Sequence, residues 1–263
     1  MLAESAGILA GDYPGIDIRP VEGDFTDTGL VLPSCDGARL AVFLGGTIGN
    51  FDDDGRRAFF TGLATTLAPG DYFLLGADLI KDTGRLVAAY NDKAGVTADF
   101  NRNMIEVLRT GLDAVGLYAD DFDHIARWNP ERHRIEMWLR ARRDIDAYFG
   151  DLQRRWRLPA GAEIRTEIST KFDLSVLQGE LADAGLAPVT SWTDRWGTSP
   201  SLSRVGDGVA QDLANPRDDL GAIEFDAAHH GTMRQCAVGV LEVEAIESQG
   251  PNGVGDLVRH RLR

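Results

Sequence analysis

The fold of this chain is decided by the stretch Ala41-Val-Phe-Leu-Gly-Gly-Thr-Ile-Gly-Asn-Phe51. Its first residues form an apolar run without alternation, which is typical of a strand buried on both faces. The glycines that follow allow the backbone to turn sharply and to approach a ligand at the carboxyl edge of the strand, where open α/β sheets bind their ligands. Asn50 is therefore either a ligand contact or an Asx turn that caps the next helix.

The residues after this strand complete a parallel unit. Acidic residues at 52–54 suit the positive first turn of a helix, and apolar residues with helical spacing continue over residues 56–67. A second apolar strand is predicted over residues 72–80, with Asp78 near its end. Two apolar strands joined by an amphipathic helix predict an α/β fold with a parallel sheet.

The pattern changes after Lys81. Helices are predicted over residues 86–90 and 97–111, and alternating, half-buried strands over residues 134–140 and 161–171. Antiparallel strands combined with two helices indicate a lobe that is inserted into the parallel sheet or lies on it.

The last predicted elements are a helix over residues 174–184 and a strand over residues 188–194. After about Trp196 the regular pattern is lost, apart from one predicted strand over residues 237–246.

Composition excludes several classes of function. The 263 residues can bury a full core, and 41 acidic against 27 basic residues give a net charge of −14, which argues against binding nucleic-acid phosphates. No apolar run is long enough to span a membrane and no signal peptide is visible, so we expect a cytoplasmic protein. Cys35 and Cys236 lack metal-ligand spacing, so we expect neither a metal site nor a disulfide framework.

Six sequence motifs in a fixed order resemble those of a known protein family. They occupy residues 43–51, 68–82, 88–103, 135–139, 164–172 and 191–194. Together they resemble the L-histidine Nα-methyltransferases of ergothioneine biosynthesis, which use S-adenosylmethionine to make the trimethylated betaine hercynine. The resemblance covers about residues 1–196.

The resemblance implies a fold and a division of the chain. The expected fold is an α/β class I methyltransferase (Rossmann-like) sheet, incomplete at its N-terminal side, with an α+β substrate-binding lobe. The expected parts are a partial methyltransferase core (1–84), the substrate-binding lobe (85–168), a return to the core (169–196) and a divergent tail (197–263).

The resemblance also implies site residues for S-adenosylmethionine and L-histidine. The adenine end of the cofactor would contact Asp24 and Phe25, and the loop facing cofactor and substrate would contain Gly45 and Thr47. The residues that would bind histidine are Asn50 and Tyr90 at the amino-acid end, Glu167 and Ser169 at the imidazole, and Thr97, Phe100 and Met137 as walls around that ring.

The residues themselves agree with one of these assignments. Glu167 and Ser169 are two apart in an alternating strand, so they point to one face and can address one ring together. A carboxylate accepts a hydrogen bond from an imidazole N–H, while a hydroxyl can donate to or accept from the other nitrogen. Without the resemblance, a solvent-facing Glu and Ser, and a core tyrosine at Tyr90, would be the preferred interpretation.

Two departures from the family keep alternatives open. Family members begin upstream with a glycine-rich cofactor loop that this sequence does not contain. The sequence after Asp194 also departs from the sequences of the family. We hypothesise that residues 197–263 are largely read out of frame. The alternatives to a histidine methyltransferase are thus an inactive remnant, an amino-acid-binding module or a methyltransferase for a different amino acid. We expect a monomer with no metal and no membrane or nucleic-acid partner.

Overall fold

The computed structural model of the protein describes residues 2–26 and 37–193 with their side chains, and the backbone of residues 198–205 and 236–239. Cys35, the rest of the tail 197–263 and most of the strand expected over 237–246 lie outside the described residues. In the described part, the α-helices are α1 (Leu2–Asp12), α2 (Asp53–Thr66), α3 (Thr83–Tyr90), α4 (Val96–Gly111) and α5 (Leu174–Asp183). The strands are β1 (Arg39–Phe43), β2 (Tyr72–Asp78), β3 (Ala114–Val115), β4 (Phe122–Asn129), β5 (Arg134–Ala141), β6 (Ile145–Phe149), β7 (Arg154–Leu158), β8 (Glu163–Thr170), β9 (Leu186–Ser191), β10 (Thr198–Val205) and β11 (Cys236–Gly239).

The main sheet has the strand order β11-β1-β2-β10-β9. β1 is parallel to β2 and to β11, and α2 connects β1 to β2, so the predicted parallel unit is confirmed. Helix α2 begins next to the acidic residues, as predicted. The Asp52 carboxylate caps it by accepting a hydrogen bond from the backbone N–H of Gly55 at 2.8 Å. This unit places the ends of β1 and β2 side by side.

Strand β10 corrects one expectation. The regular pattern was expected to end near Trp196, but Thr198–Val205 pairs antiparallel with both β2 and β9. Its sequence, Thr-Ser-Pro-Ser-Leu-Ser-Arg-Val, is mostly polar and shows no apolar strand pattern. Pairing with two neighbouring strands accounts for this strand better than local sequence preference does.

The core of the main sheet lies between the sheet and the helices α2 and α5. Buried aromatic residues of α2, Phe59 and Phe60, pack near Phe43 of β1 and Phe73 of β2. Leu177 and Leu181 of α5 belong to the same cluster. These contacts hold the strand ends that carry the glycine-rich turn.

The lobe contains two antiparallel sheets of three strands, β3-β6-β7 and β4-β5-β8. The expected strands over 134–140 and 161–171 are β5 and β8, and the expected helices are α3 and α4. Strands β6 and β7 were not predicted from the sequence. β8 runs through the boundary expected between residues 168 and 169, and Phe172 then forms a parallel bridge with Leu79 just after β2. The division of the chain into domains stays a prediction.

Among the residues that the structure describes, no helix is both long and apolar enough to cross a membrane.

Candidate active site

The glycine-rich turn follows β1 as the sequence predicted. Gly45 and Gly46 have φ values of +87° and +79°, a conformation that side-chain-bearing residues rarely adopt. A short 3₁₀ helix, Thr47–Asn50, follows them and leads into α2. The turn therefore reverses the chain at the carboxyl end of a parallel strand, where ligands of such sheets bind.

The same turn packs against the end of β8. A Cβ atom added at Gly49 would lie 2.7 Å from the carbonyl oxygen of Thr170 and 3.6 Å from Oγ of Ser169. Only a residue without a side chain allows this approach. The structure thus brings the half-buried Asn50 next to the strand that carries Glu167 and Ser169.

Strand β8 contains a bulge at Thr166. Met137 of β5 pairs with Glu167, but the next residue, Trp138, pairs with Arg165, so Thr166 is the extra residue. The Thr166 hydroxyl is buried and donates to the carbonyl oxygen of Met137 at 3.0 Å. The bulge changes which residues of β8 face each side of the sheet.

The bulge gives β8 two different halves. Before it, Glu163 and Arg165 lie on the face of Trp138, where the Arg165 guanidinium is 5.9 Å from the Trp138 ring centroid. After it, Glu167 and Ser169 lie opposite the buried residues Met137 and Ile135. We call the first side the outer face and the second, which packs against α3, the inner face. The predicted pairing of Glu167 and Ser169 on one face is found.

A hydrogen-bonded triangle connects Tyr90, Ser169 and Lys171. The Tyr90 hydroxyl and Ser169 Oγ are 2.7 Å apart, although 79 positions separate these residues. Lys171 Nζ donates to the Tyr90 hydroxyl at 2.9 Å and to Ser169 Oγ at 2.8 Å. Two of the predicted residues are thereby brought together by a third that was not predicted.

Lys171 is a buried cation, with 3% of its surface exposed. Its ammonium lies 3.0 Å from Oδ2 of Asp78, whose Oδ1 pairs with Lys81 at 2.6 Å, and 4.8 Å from the Tyr90 ring centroid. Burying a charge requires partners of this kind. The signal that could have found Lys171 is its spacing, because it follows Ser169 by two residues.

The backbone of Tyr90 is held by a second buried contact. Asn101 of α4 donates from Nδ2 to Nδ1 of His124 at 2.8 Å, which leaves His124 Nε2 to donate to the carbonyl oxygen of Tyr90, also at 2.8 Å. The end of α3 is thus fixed to β4 and α4. Neither Asn101 nor His124 was among the predicted site residues.

The three predicted wall residues differ in their surroundings. Met137 is buried in a cluster with Leu86 and Ile135, and Tyr90 packs against that cluster. Phe100 is 43% exposed on α4, one helical turn after Thr97. Of these three residues, Met137 lies on the inner face, opposite Glu167.

Thr97 is held at the start of α4 by Asp92. The backbone N–H groups of Val96 and Thr97 donate to the Asp92 carboxylate at 3.0 and 2.8 Å. The pKa of Asp92 is lowered to about 2, chiefly by the backbone N–H of Thr97, with help from the Thr97 hydroxyl and Val96. The carboxylate stays charged and fixes this end of the helix.

The two predicted adenine contacts lie before the first strand. Asp24 is exposed, and its Oδ1 accepts from the backbone N–H and the hydroxyl of Thr26 at 2.8 and 2.6 Å. Phe25 is half-buried against Phe43 and Phe51, with centroid distances of 5.7 and 6.3 Å. Phe25 is thus close to the end of the glycine-rich turn.

The chain was compared with known proteins. A family model described as histidine-specific methyltransferase, SAM-dependent, matches residues 1–199. The histidine N-alpha-methyltransferases of Mycolicibacterium smegmatis and Mycobacterium tuberculosis are 47% and 45% identical over 194 and 197 residues. The matches cover 74% and 75% of this chain but 60% and 61% of the relatives, so the chain spans about three fifths of their length.

The S-adenosylmethionine-dependent methyltransferase from Clostridium acetobutylicum matches with a TM-score of 0.38 and 11% identity, covering 78% of this chain and 71% of that one. The family match over three quarters of the sequence confirms the resemblance and the α/β methyltransferase fold class expected from it. The chain belongs to the family of SAM-dependent, histidine-specific methyltransferases.

Proposed function

We propose that this chain acts as an S-adenosylmethionine-dependent methyltransferase that transfers methyl groups to the α-amino nitrogen of L-histidine. The product would be trimethylhistidine (hercynine), made in the first step of ergothioneine biosynthesis. The observation that carries the proposal is the arrangement of Glu167 and Ser169 on the inner face of β8, next to Tyr90 and the Gly49–Asn50 turn.

The inner face supplies the chemistry that an imidazole requires. Glu167 is a half-buried carboxylate that accepts from one ring N–H, while the Ser169 hydroxyl addresses the second ring nitrogen. Met137, opposite Glu167 in the sheet, supplies an apolar surface for the ring. A ligand without ring nitrogens could make neither of these two hydrogen bonds, which disfavours its binding relative to histidine.

The amino-acid end of the substrate would be oriented by Asn50 and Tyr90. Methyl transfer to an amine is an in-line displacement, so the lone pair of the neutral amine must point at the methyl carbon. Such a reaction depends mainly on holding the reactants in that geometry. The fixed backbone of Tyr90 and the tight packing of the turn against Thr170 suit these residues to that task.

The turn after β1 fits the methyl donor. A Cβ atom added at Gly46 would meet no atom of the described residues within 4 Å, so this part of the turn borders open space in the described part of the chain. Asp24 and Thr47 would supply polar contacts there, and Phe25 an aromatic edge. When bound, S-adenosylmethionine supplies the electrophilic methyl group. These residues would hold it beside Asn50, and Gly45 would allow its close approach.

An activity assay tests the proposal. The chain is incubated with isotope-labelled S-adenosylmethionine and L-histidine, and products are identified by mass spectrometry. Stepwise addition of methyl groups up to trimethylhistidine is expected, and the Glu167→Ala variant serves as the control that loses it. Histidine binding without product would favour the amino-acid-binding module, and methylation of another amino acid would overturn the assigned substrate.

Several expectations from the sequence remain predictions. They are a cytoplasmic location, a monomeric state, and the lack of a metal, a membrane partner and a nucleic-acid partner.

A further inference from the structure

The number of hydrogens in the Tyr90–Ser169–Lys171 triangle limits what it can offer a ligand. The Lys171 ammonium has three N–H groups and lies within 3.0 Å of three oxygens, those of Tyr90, Ser169 and Asp78. Since an ammonium has no lone pair, both hydroxyl oxygens must accept from it. The two hydroxyls are also bonded to each other at 2.7 Å, which uses one of their two hydrogens.

The direction of the bond between the two hydroxyls follows from their acidity. Either hydroxyl could donate by distance alone, but a phenol is a stronger donor and a weaker acceptor than an aliphatic alcohol, so we assign Tyr90 as the donor to Ser169. Ser169 Oγ then accepts from both Tyr90 and Lys171, and both of its lone pairs are used. The one hydrogen that the triangle does not use belongs to Ser169, which lies under the Gly49 turn.

We propose that Lys171 is a positioning residue that makes Ser169 a hydrogen-bond donor, so that the site selects the neutral imidazole of its substrate. This inference rests on the proposed function and deepens it. A donor at Ser169 requires an unprotonated ring nitrogen, while Glu167 accepts from the other, protonated one. The pair therefore selects one tautomer of the neutral ring.

The charged and titratable groups near Ser169 come from its own strand, from α3 and from the end of β2. Glu167 shares its strand, Tyr90 faces it from α3, and Lys171 approaches with the Asp78–Lys81 pair behind it. The Thr47–Asn50 segment that packs on the strand contains no titratable side chain. His133 contributes its backbone carbonyl, which accepts from the Lys171 N–H at 2.7 Å.

The experiment is a calorimetric titration of the full chain with L-histidine at pH 7.5 and pH 5.5. An imidazole with a pKa of about 6.5 predicts roughly tenfold tighter binding at the higher pH if only the neutral ring binds. In Lys171→Met, Ser169 regains a lone pair and can accept from a protonated ring. We expect this ratio to fall to about twofold or less, together with weaker binding at pH 7.5.

Lys81→Met is the matched control, because it removes the other cation on Asp78 and leaves the triangle intact. It should keep the tenfold ratio. The α-amino group of histidine titrates equally for each variant, so the comparison isolates the ring. A Lys171→Met protein that binds weakly but keeps the ratio would have lost only structural support, and the inference would be overturned.

Tyr90→Phe keeps the test available if Lys171→Met does not fold, as judged by circular dichroism. This change also frees a lone pair on Ser169, so it should flatten the pH dependence too, and an unchanged ratio would overturn the inference. A parent chain that binds histidine at neither pH would instead overturn the proposed function, and the inference with it.

Discussion

The two halves of β8 have different surroundings although they belong to one strand. Before the Thr166 bulge, Glu163 is bound by Arg127 and Arg140 on the outer face, at distances of 2.7–2.9 Å. After it, Ser169 is 6% exposed and bonded to Tyr90 and Lys171. The outer half forms ion pairs near solvent, and the inner half forms a buried polar site. The bulge thus separates the surface ion pairs from the side chains proposed to bind histidine.

The largest effect is expected for the inner half. Glu167→Ala removes the carboxylate proposed to accept from the imidazole, and hydrogen bonds to charged groups contribute about 1.5–3 kcal/mol, roughly ten- to a hundredfold in affinity. We expect histidine binding to weaken by this factor while S-adenosylhomocysteine binding is retained. Calorimetry with each ligand measures both.

Asp24→Ala is the reciprocal control. It removes the proposed adenine contact and should weaken S-adenosylhomocysteine binding while leaving the affinity for histidine unchanged. Unchanged histidine affinity in Glu167→Ala would contradict the assignment of the inner half.

Gly49→Ala tests the packing of the turn on the inner half. The added Cβ would lie 2.7 Å from a backbone oxygen, so the turn or the strand must shift. Such overpacking typically costs about 1–3 kcal/mol of unfolding free energy. Urea unfolding measures this cost, and histidine affinity should fall as well because Asn50 moves.

Gly179→Ala, within α5, is the matched control because its added Cβ meets no other atom within 4 Å. Alanine is favoured over glycine inside a helix by roughly 1 kcal/mol, so this variant should be at least as stable as the parent. Equal stabilities of the two alanine variants would show that the contact between turn and strand is loose.

Thr166→Val tests the bulge. It keeps the shape of the side chain but removes the hydroxyl that donates to Met137 at 3.0 Å. A buried hydrogen bond of this kind contributes about 1 kcal/mol, so we expect a loss of that size in unfolding free energy. Histidine affinity should fall by less than in Glu167→Ala, because Glu167 and Ser169 are both retained and only the bulge that positions them is weakened.

Thr166→Ser retains the hydroxyl and is the control for this change. If the valine variant matches it in both stability and histidine affinity, the hydrogen bond does not hold the bulge.

The sequence predicted the parts of the site that depend on local pattern. The apolar strand, the glycine turn and the shared face of Glu167 and Ser169 follow from residue spacing alone. The bulge does not, because Glu163 and Arg165 continue the same alternation, and only the register with β5 reveals the extra residue.

Other features could not be predicted from the sequence because they depend on contacts between distant segments. Lys171 meets Tyr90 across 81 positions, and no local pattern encodes that contact. The polar strand β10 is explained by its pairing with β2 and β9, which residue preferences do not indicate. For the proposed cofactor contacts, Asp24 and Phe25, residue spacing alone favours a turn aspartate beside a core phenylalanine, and the family resemblance is what assigned them to the cofactor.

The smallest effect is expected on the outer half. The guanidinium of Arg127, with that of Arg140, lowers the pKa of Glu163 to about 2, whereas an unfolded chain would have a value of about 4.3. Since the folded-state pKa is the lower one, the stabilisation is present above about pH 4.3 and is lost as the pH falls towards 2. Exposed ion pairs of this type contribute about 0.2–1 kcal/mol.

Glu163→Gln should therefore be slightly less stable than the parent at pH 7, with a difference that shrinks below about pH 4 and disappears near pH 2. Urea unfolding across this range measures it, and Glu131→Gln, in the exposed turn between β4 and β5, is the control for the Glu-to-Gln change itself. Histidine affinity at pH 7 should be unchanged, because Glu163 lies on the outer face, opposite to the face of Glu167 and Ser169. A loss of affinity comparable to that of Glu167→Ala would mean that the bulge does not separate the two halves, and that the strand responds to ligand as one unit.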